Sequence, residues 1–137
     1  MLPFEFIVDG PPISYQTRRA ERLRAWKQAV RNAAAYRWPQ AVAPLKVRLK
    51  TTVCYYHDGV MVRIDNDNMV KPIQDALNAL IYEDDRQITD IQVRKTDING
   101  SFRIHGMSPV LAEGFVKGKE FLHIVIERAP NHEGLLR

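Results

Sequence analysis

Residues 63–86 constrain this chain more than any other stretch. They open on two aspartates two residues apart, Asp65 and Asp67, inside the polar run Asp-Asn-Asp-Asn. An apolar stripe at helical spacing follows, Met69, Ile73, Leu77 and Leu80, with Val70 and Ala76 beside it. Three consecutive acids, Glu83, Asp84 and Asp85, close the stretch. A helix over roughly 68–81 satisfies the pattern, with Asn68 as its cap and Pro72 in the first turn, where a missing N–H costs nothing. Five acids around one helix, in a chain of net charge +4, call for a cation between them. Hard oxygen ligands with no Cys or His nearby point to Mg²⁺, with Mn²⁺ as the alternative.

The remaining segments place that helix in a small sheet. Residues 3–8 alternate weakly as a strand, and Asp9-Gly10-Pro11-Pro12 breaks it. Thr17 is positioned to cap a helix from about 18 to 36, with Leu23, Trp26, Ala29, Val30 and Ala33 along one side. Trp38-Pro39 ends it, because the residue before proline avoids the α region. Residues 45–56 alternate as a half-buried strand, 88–98 form another, and 121–127 the last. Residues 99–119, rich in glycine and proline, read as a long loop, and 130–137 as a tail. The order β-α-β-α-β-β describes an α+β (mixed α/β) fold, a small mixed sheet with two helices. The length suits one domain, 1–137.

Composition removes several classes. No apolar run approaches the roughly 18 residues of a membrane span, and residues 1–10 lack the pattern of a signal peptide. A cytoplasmic protein with no membrane partner and no small-molecule organic cofactor is expected. The single cysteine, Cys54, lies in an apolar strand-like run and reads as a buried structural thiol. Charge is unevenly spread. Arg18, Arg19, Arg22, Arg24, Lys27 and Arg31 stand against the one acid Glu21, and Arg94, Lys95 and Arg103 follow the acidic centre. Basic flanks around an acidic centre suit an enzyme acting on a polyanion. A solvated helix face is the alternative for the 17–31 run.

In a strand, Asp65 and Asp67 project from one face and can offer both carboxylates to one ion. A polar turn capping the helix is the other reading of these residues. Lys71, off the apolar stripe and near the helix start, either contacts a phosphate or pairs with Asp75 at i,i+4. Glu83, Asp84 and Asp85 read either as a solvated acidic turn or, because acids after a helix C-terminus oppose its dipole, as residues that something else holds there. His57, His105, His123 and His132 are scattered and take structural or surface roles.

The run from Asp65 through Lys71, Asp75 and Leu77, then Glu83-Asp84-Asp85-Arg-Gln87-Ile88, resembles the signature of RusA-type Holliday junction resolvases. The early Pro11-Pro12-Ile-Ser segment and the order of elements resemble that family too. The resemblance implies an intertwined or closely packed homodimer that nicks two strands of a four-way DNA junction with Mg²⁺. Asp65, Asp67 and Asp85 then fall on the catalytic carboxylates that hold the metal, Asp84 is an auxiliary, and Lys71 falls on the essential lysine. Arg18, Arg19, Arg22, Lys27, Arg63, Arg94 and Lys95 are the expected DNA contacts. A nuclease for flaps and forks, or a DNA-binding protein of the same fold without the chemistry, are the competing readings. Reach poses a question. A helix of about 14 residues advances about 20 Å, whereas four residues return at most about 14 Å. Either the helix is shorter or tilted, or Asp85 joins the site of a second subunit; a site within one chain is preferred.

Overall fold

The computed structural model describes residues 2–59, 63–99 and 106–133. The elements are β1 (Phe4–Asp9), α1 (Ala20–Arg37), β2 (Leu49–His57), α2 (Asn66–Ala76), a 3-10 turn (Asp85–Gln87), β3 (Ile88–Asp97), α3 (Pro109–Val116) and β4 (Phe121–Arg128). They form a mixed sheet of order β1-β4-β2-β3. β4 lies antiparallel to both β1 and β2, while β3 runs parallel to β2 after the crossover through α2. The α+β class holds, with a third helix that the sequence reading lacks.

Strand alternation sorts the core. Phe6, Val8, Val53 and Tyr55 face the main cluster with Trp26 and Val30 of α1 and Met69 and Ile73 of α2. Ile7, Cys54 and Tyr56 face the other way, into a smaller cluster with Leu111 and Phe121. Cys54 is buried there, and burial pushes its thiol pKa up. That second cluster corrects the half-buried reading of β2: from Val53 onward its side chains are buried on both faces, because α3 covers the far side.

α3 occupies part of what reads as loop. Its signals are an N-cap Ser108 whose side chain accepts from the Leu111 N–H, Pro109 in the first turn, and Gly118 at φ +68° just past the end. Gly114 looks like a helix breaker but is required by packing, since a Cβ there would lie 2.4 Å from the Phe121 ring. Arg103, His105 and the end of the tail (134–137) lie outside the described residues, as do residues 60–62.

Other boundaries shift for identifiable reasons. α1 is capped at Arg19, not Thr17; the Thr17 hydroxyl accepts from the Arg19 N–H at 3.3 Å and closes the turn before the helix. Its end before Trp38-Pro39 is as expected, and Trp26, Val30 and Ala34 are its buried residues. Residues 45–47 precede β2 instead of belonging to it. The Leu45 N–H donates to the Ile81 carbonyl at 2.8 Å, and the Glu83 N–H donates back to the Leu45 carbonyl at 3.2 Å.

α2 begins earlier and stops sooner than the apolar stripe suggests. Asp65, not Asn68, is its N-cap, so Pro72 sits inside the helix. Proline there leaves the carbonyl four residues back without its helical donor. That carbonyl belongs to Asn68, and the Tyr15 N–H takes it at 2.9 Å. The loop after Pro11-Pro12 is thereby fastened to α2.

Helix α2 ends at Ala76, where Arg31 supplies the C-terminal cap. Its guanidinium Nη1 donates to the carbonyls of Ala76 at 3.0 Å and Asn78 at 2.9 Å, satisfying acceptors that a helix end leaves open. Ala79 then turns the chain back at φ +64°. The left-handed region costs a non-glycine residue about 1–2 kcal/mol. Ala79→Gly relieves that strain against a smaller entropic loss, so it is expected to stabilise the fold by about 0.5–1 kcal/mol. Thermal unfolding should register a Tm rise of about 2–4 °C; an unchanged or lower Tm would show that the turn is not strained.

Candidate active site

The reversal at Ala79 brings Asp85 back to Lys71 within one chain, but not among the residues lining the recess of Asp65 and Asp67. A shortened helix and the pairing of residues 81–83 with Leu45 bring the acidic run back alongside α2. The Tyr82 hydroxyl locks this return by donating to the Gln74 carbonyl at 2.6 Å. Asp85 thereby meets Lys71 within one chain, with Nζ 3.2 Å from Oδ2.

Lys71 is held on two sides, by Asp75 at 2.7 Å and by Asp85. The hydrogen bond that Lys71 donates to Asp75, joined by the one to Asp85, raises the Lys71 pKa above its ordinary 10.5. The i,i+4 pair with Asp75 exists, and it orients an ammonium that remains partly exposed. Asp75 also receives Lys27, with Nζ at 3.6 Å.

Asp65 and Asp67 line one open recess of about 410 Å³ with Ile64, Asn66 and Lys95. Asp65 occupies the N-cap position, yet its side chain makes no capping hydrogen bond. Aspartate is among the best capping residues, so its carboxylate is directed to something other than the helix end. Lys95 reaches the recess from β3 and donates to the Ile64 carbonyl. It ties down the segment carrying Asp65 and offsets one of the two negative charges.

Asp84 has a different task. It caps the 3-10 turn, accepting from the Arg86 N–H at 2.9 Å, while its own N–H donates to Gln87 Oε1 at 3.0 Å. Hydrogen bonds from Arg86, its backbone N–H first and then its guanidinium, lower the Asp84 pKa. A capping role, not a place in the recess, is what the structure gives it.

Among the described residues no three His, Cys, Asp or Glu side chains gather as a ready-made metal cluster. The donor set still fits a hard divalent ion. Mg²⁺ is commonly held by one or two carboxylates, with waters and substrate phosphates completing its shell. Asp65 and Asp67 supply two carboxylates in a recess that contains no sulfur or imidazole.

The sequence pattern of the family described as Endodeoxyribonuclease RusA matches residues 13–105, more than half of the 137-residue chain. The chain belongs to the RusA endodeoxyribonuclease family. That match spans the Tyr15 loop, α1, α2 and β3, and stops before α3 and β4. A shorter stretch of 31 residues is 58% identical to "Uncharacterized protein YqaN" of Bacillus subtilis (strain 168). It covers 23% of this chain and 22% of that protein, about a fifth of the relative's length.

The basic residues expected on DNA divide in this RusA-family chain. Arg18, Arg19 and Arg22 are exposed at the start of α1, and Arg63 is exposed next to Ile64 of the recess. Arg94 is exposed too, but it is in register with Cys54 and so lies on the α3 face of the sheet, away from the recess that Lys95 enters. Lys27 is tied to Asp75 and lies 6.0 Å from the Tyr15 ring centroid. Arg31 is a helix cap, as described above. None of the described histidines lines the recess: His57 is buried, His123 pairs with Glu5 at 2.9 Å and His132 with Asp90 at 2.8 Å.

Two neighbours of the site carry no signal in sequence reasoning. A second cavity, of about 390 Å³, shares Asn66 and Asp67 with the recess and is walled in part by Tyr15, Lys71 and Gln74. Tyr15 arrives there only because Pro72 frees the Asn68 carbonyl, and Gln74 reads as an ordinary helix residue.

Proposed function

We propose that this RusA-family chain is a divalent-cation-dependent endonuclease that nicks four-way DNA junctions as a homodimer. One observation carries the reading: Asp65 and Asp67 share a recess at the start of α2, and Lys71, on the same helix, is aimed by Asp75 and Asp85.

Asp65 and Asp67 are the residues that would hold the ion. When bound, Mg²⁺ supplies a more acidic water and relief of charge on the phosphoryl oxygens. The chain's own groups do the rest. Lys71 contacts the scissile phosphate and stabilises charge developing on it, a preorganised interaction because two carboxylates fix the ammonium beforehand. Asp85 acts as a positioning residue through Lys71. Lys95 holds the Ile64–Asp65 segment against β3, keeping the recess in shape. Arg63 beside the site, and Arg18, Arg19 and Arg22 on α1, draw the phosphate backbone in. Two opposed strands need two sites, and a two-fold dimer provides them.

A nicking assay on a synthetic four-way junction, a flap and a linear duplex, in Mg²⁺ and in EDTA, tests this. Paired, symmetric nicks confined to the junction and to Mg²⁺ are expected. Equal cutting of flap and junction would instead support the wider branched-DNA nuclease. Binding without any cut would identify a DNA-binding protein that keeps the fold and has lost the chemistry.

A further inference from the structure

The second cavity has features that the nuclease chemistry leaves unused. Its walls combine the half-exposed ring of Tyr15 with apolar Val70, Ile91 and Val93. Gln74 also lines it, and only 8% of that residue is exposed. The Gln74 Nε2 has no hydrogen-bond partner among the described residues. A buried amide without a partner is costly, and such groups are uncommon in folded proteins. Rotation about the last side-chain torsion, which is broad, can present its donor and acceptor to a group inside the cavity.

We propose that this cavity receives one unstacked nucleobase of the strand being cut, next to the scissile phosphate. The Tyr15 ring stacks on the face of the base and the Gln74 amide bonds its edge. The inference rests on the nuclease reading for the identity of the polymer. Four observations point to this occupant. The cavity shares Asp67 with the recess and includes Lys71, so whatever fills it adjoins the phosphate those residues address. An aromatic ring opposite apolar walls suits a planar base, whose stacking is favourable whatever its identity. A buried carboxamide is the side chain that offers a base edge both a donor and an acceptor. At about 390 Å³ the space falls within the range of small-ligand pockets. The backbone of Tyr15 is anchored in advance by its N–H bond to the Asn68 carbonyl at 2.9 Å, and Lys27 lies 6.0 Å from its ring centroid. Bases at a branch point are the least expensive to unstack, because their pairing is already interrupted.

The test uses the full chain with junctions that are intact or carry one abasic site at each nucleotide flanking the crossover in turn. Affinity is measured in EDTA and nick position in Mg²⁺. Wild type is expected to bind one abasic junction about 10-fold more weakly than the intact one, and to nick it more slowly. Tyr15→Ala should bind both alike. Gln74→Met, similar in shape and free of the unpaired amide, should melt no lower than wild type. It should keep the abasic effect but bind junctions differing in that one base within about twofold of each other, where wild type separates them further. Equal wild-type affinity for intact and every abasic junction overturns the proposal, as does undiminished abasic discrimination by Tyr15→Ala. A protein that binds junctions but cuts none would refute the nuclease reading alone, and the binding comparison would still judge the cavity. No affinity for branched DNA of any kind would refute both, whereas a cavity filled by a side chain of a second copy in a dimer structure would refute the base pocket alone.

Discussion

Asp67→Asn is expected to lower junction nicking by about 10²–10³-fold while junction binding in EDTA stays the same or tightens. The substitution keeps the volume of the side chain and removes one of the two carboxylates in the recess. Asp67 lies in the first turn of α2, where a negative charge interacts favourably with the helix dipole. Losing that charge costs only about 0.3–1 kcal/mol, so the variant should fold. Its circular dichroism spectrum and melting curve separate a chemical defect from a structural one. Binding should not suffer, because an acid facing a phosphate backbone repels it when no cation intervenes. Asp65→Asn should behave alike: its side chain makes no cap hydrogen bond that the amide could fail to replace. Nicking by Asp67→Asn at more than about a tenth of the wild-type rate would remove the recess from the chemistry. Loss of binding together with activity would assign Asp67 to the fold instead.

The acids, the helix between them and Lys71 are legible in sequence because period and residue type coincide there. The limits of α2 are not, and the reason is physical. Leu77 and Leu80 continue the apolar stripe, Leu77 fully buried and Leu80 partly buried against the core, but they lie in the reversing turn, not in the helix. Apolar spacing reports burial, and a turn packed into the core satisfies it as well as a helix does. Leu45 and Val47 extend the alternation of β2 for a similar reason, since both pack against the core, Leu45 while bridging the 81–83 turn and Val47 while its carbonyl accepts from the Gln87 side chain at 3.0 Å. Pro72 misleads about the helix start because its compensation, the Tyr15 N–H, comes from a loop far away in sequence. The return of Asp85 depends on Arg31 capping α2 and on Ala79 taking a glycine-like conformation, neither of which local propensity suggests. α3 is a different case. Ser108, Pro109 and Gly118 do mark its ends, but a glycine required by close packing sits in its middle and imitates a loop.

Replacing Lys71 by Met should reduce nicking by about 10²–10³-fold, with Lys71→Arg retaining more activity than Lys71→Met. The charge is what matters, and the ammonium is charged throughout the working range. Asp75, with help from Asp85, raises its pKa above 10.5. A raised value in a cationic group means that its contribution is complete below the ordinary pKa and is lost only as pH climbs through the raised one. No Lys71 limb should therefore appear in the pH–rate profile between neutrality and pH 10. The stability effect is expected to be small, because partly exposed ion pairs contribute about 0.2–1 kcal/mol at most. Without the ammonium, Asp75 keeps Lys27 at 3.6 Å, while Asp85 loses the partner it has at 3.2 Å. If Lys71 contacts a phosphate, Lys71→Met should also reduce the slope of log affinity against log salt by about 1. Asp85→Asn supplies the complementary measurement. It leaves the charge of Lys71 in place and removes one of the two groups that aim it, so nicking should fall while that salt slope is unchanged. A Lys71→Met enzyme with wild-type rates would mean that Asp75 and Asp85 hold the lysine for the stability of α2 and not for the phosphate.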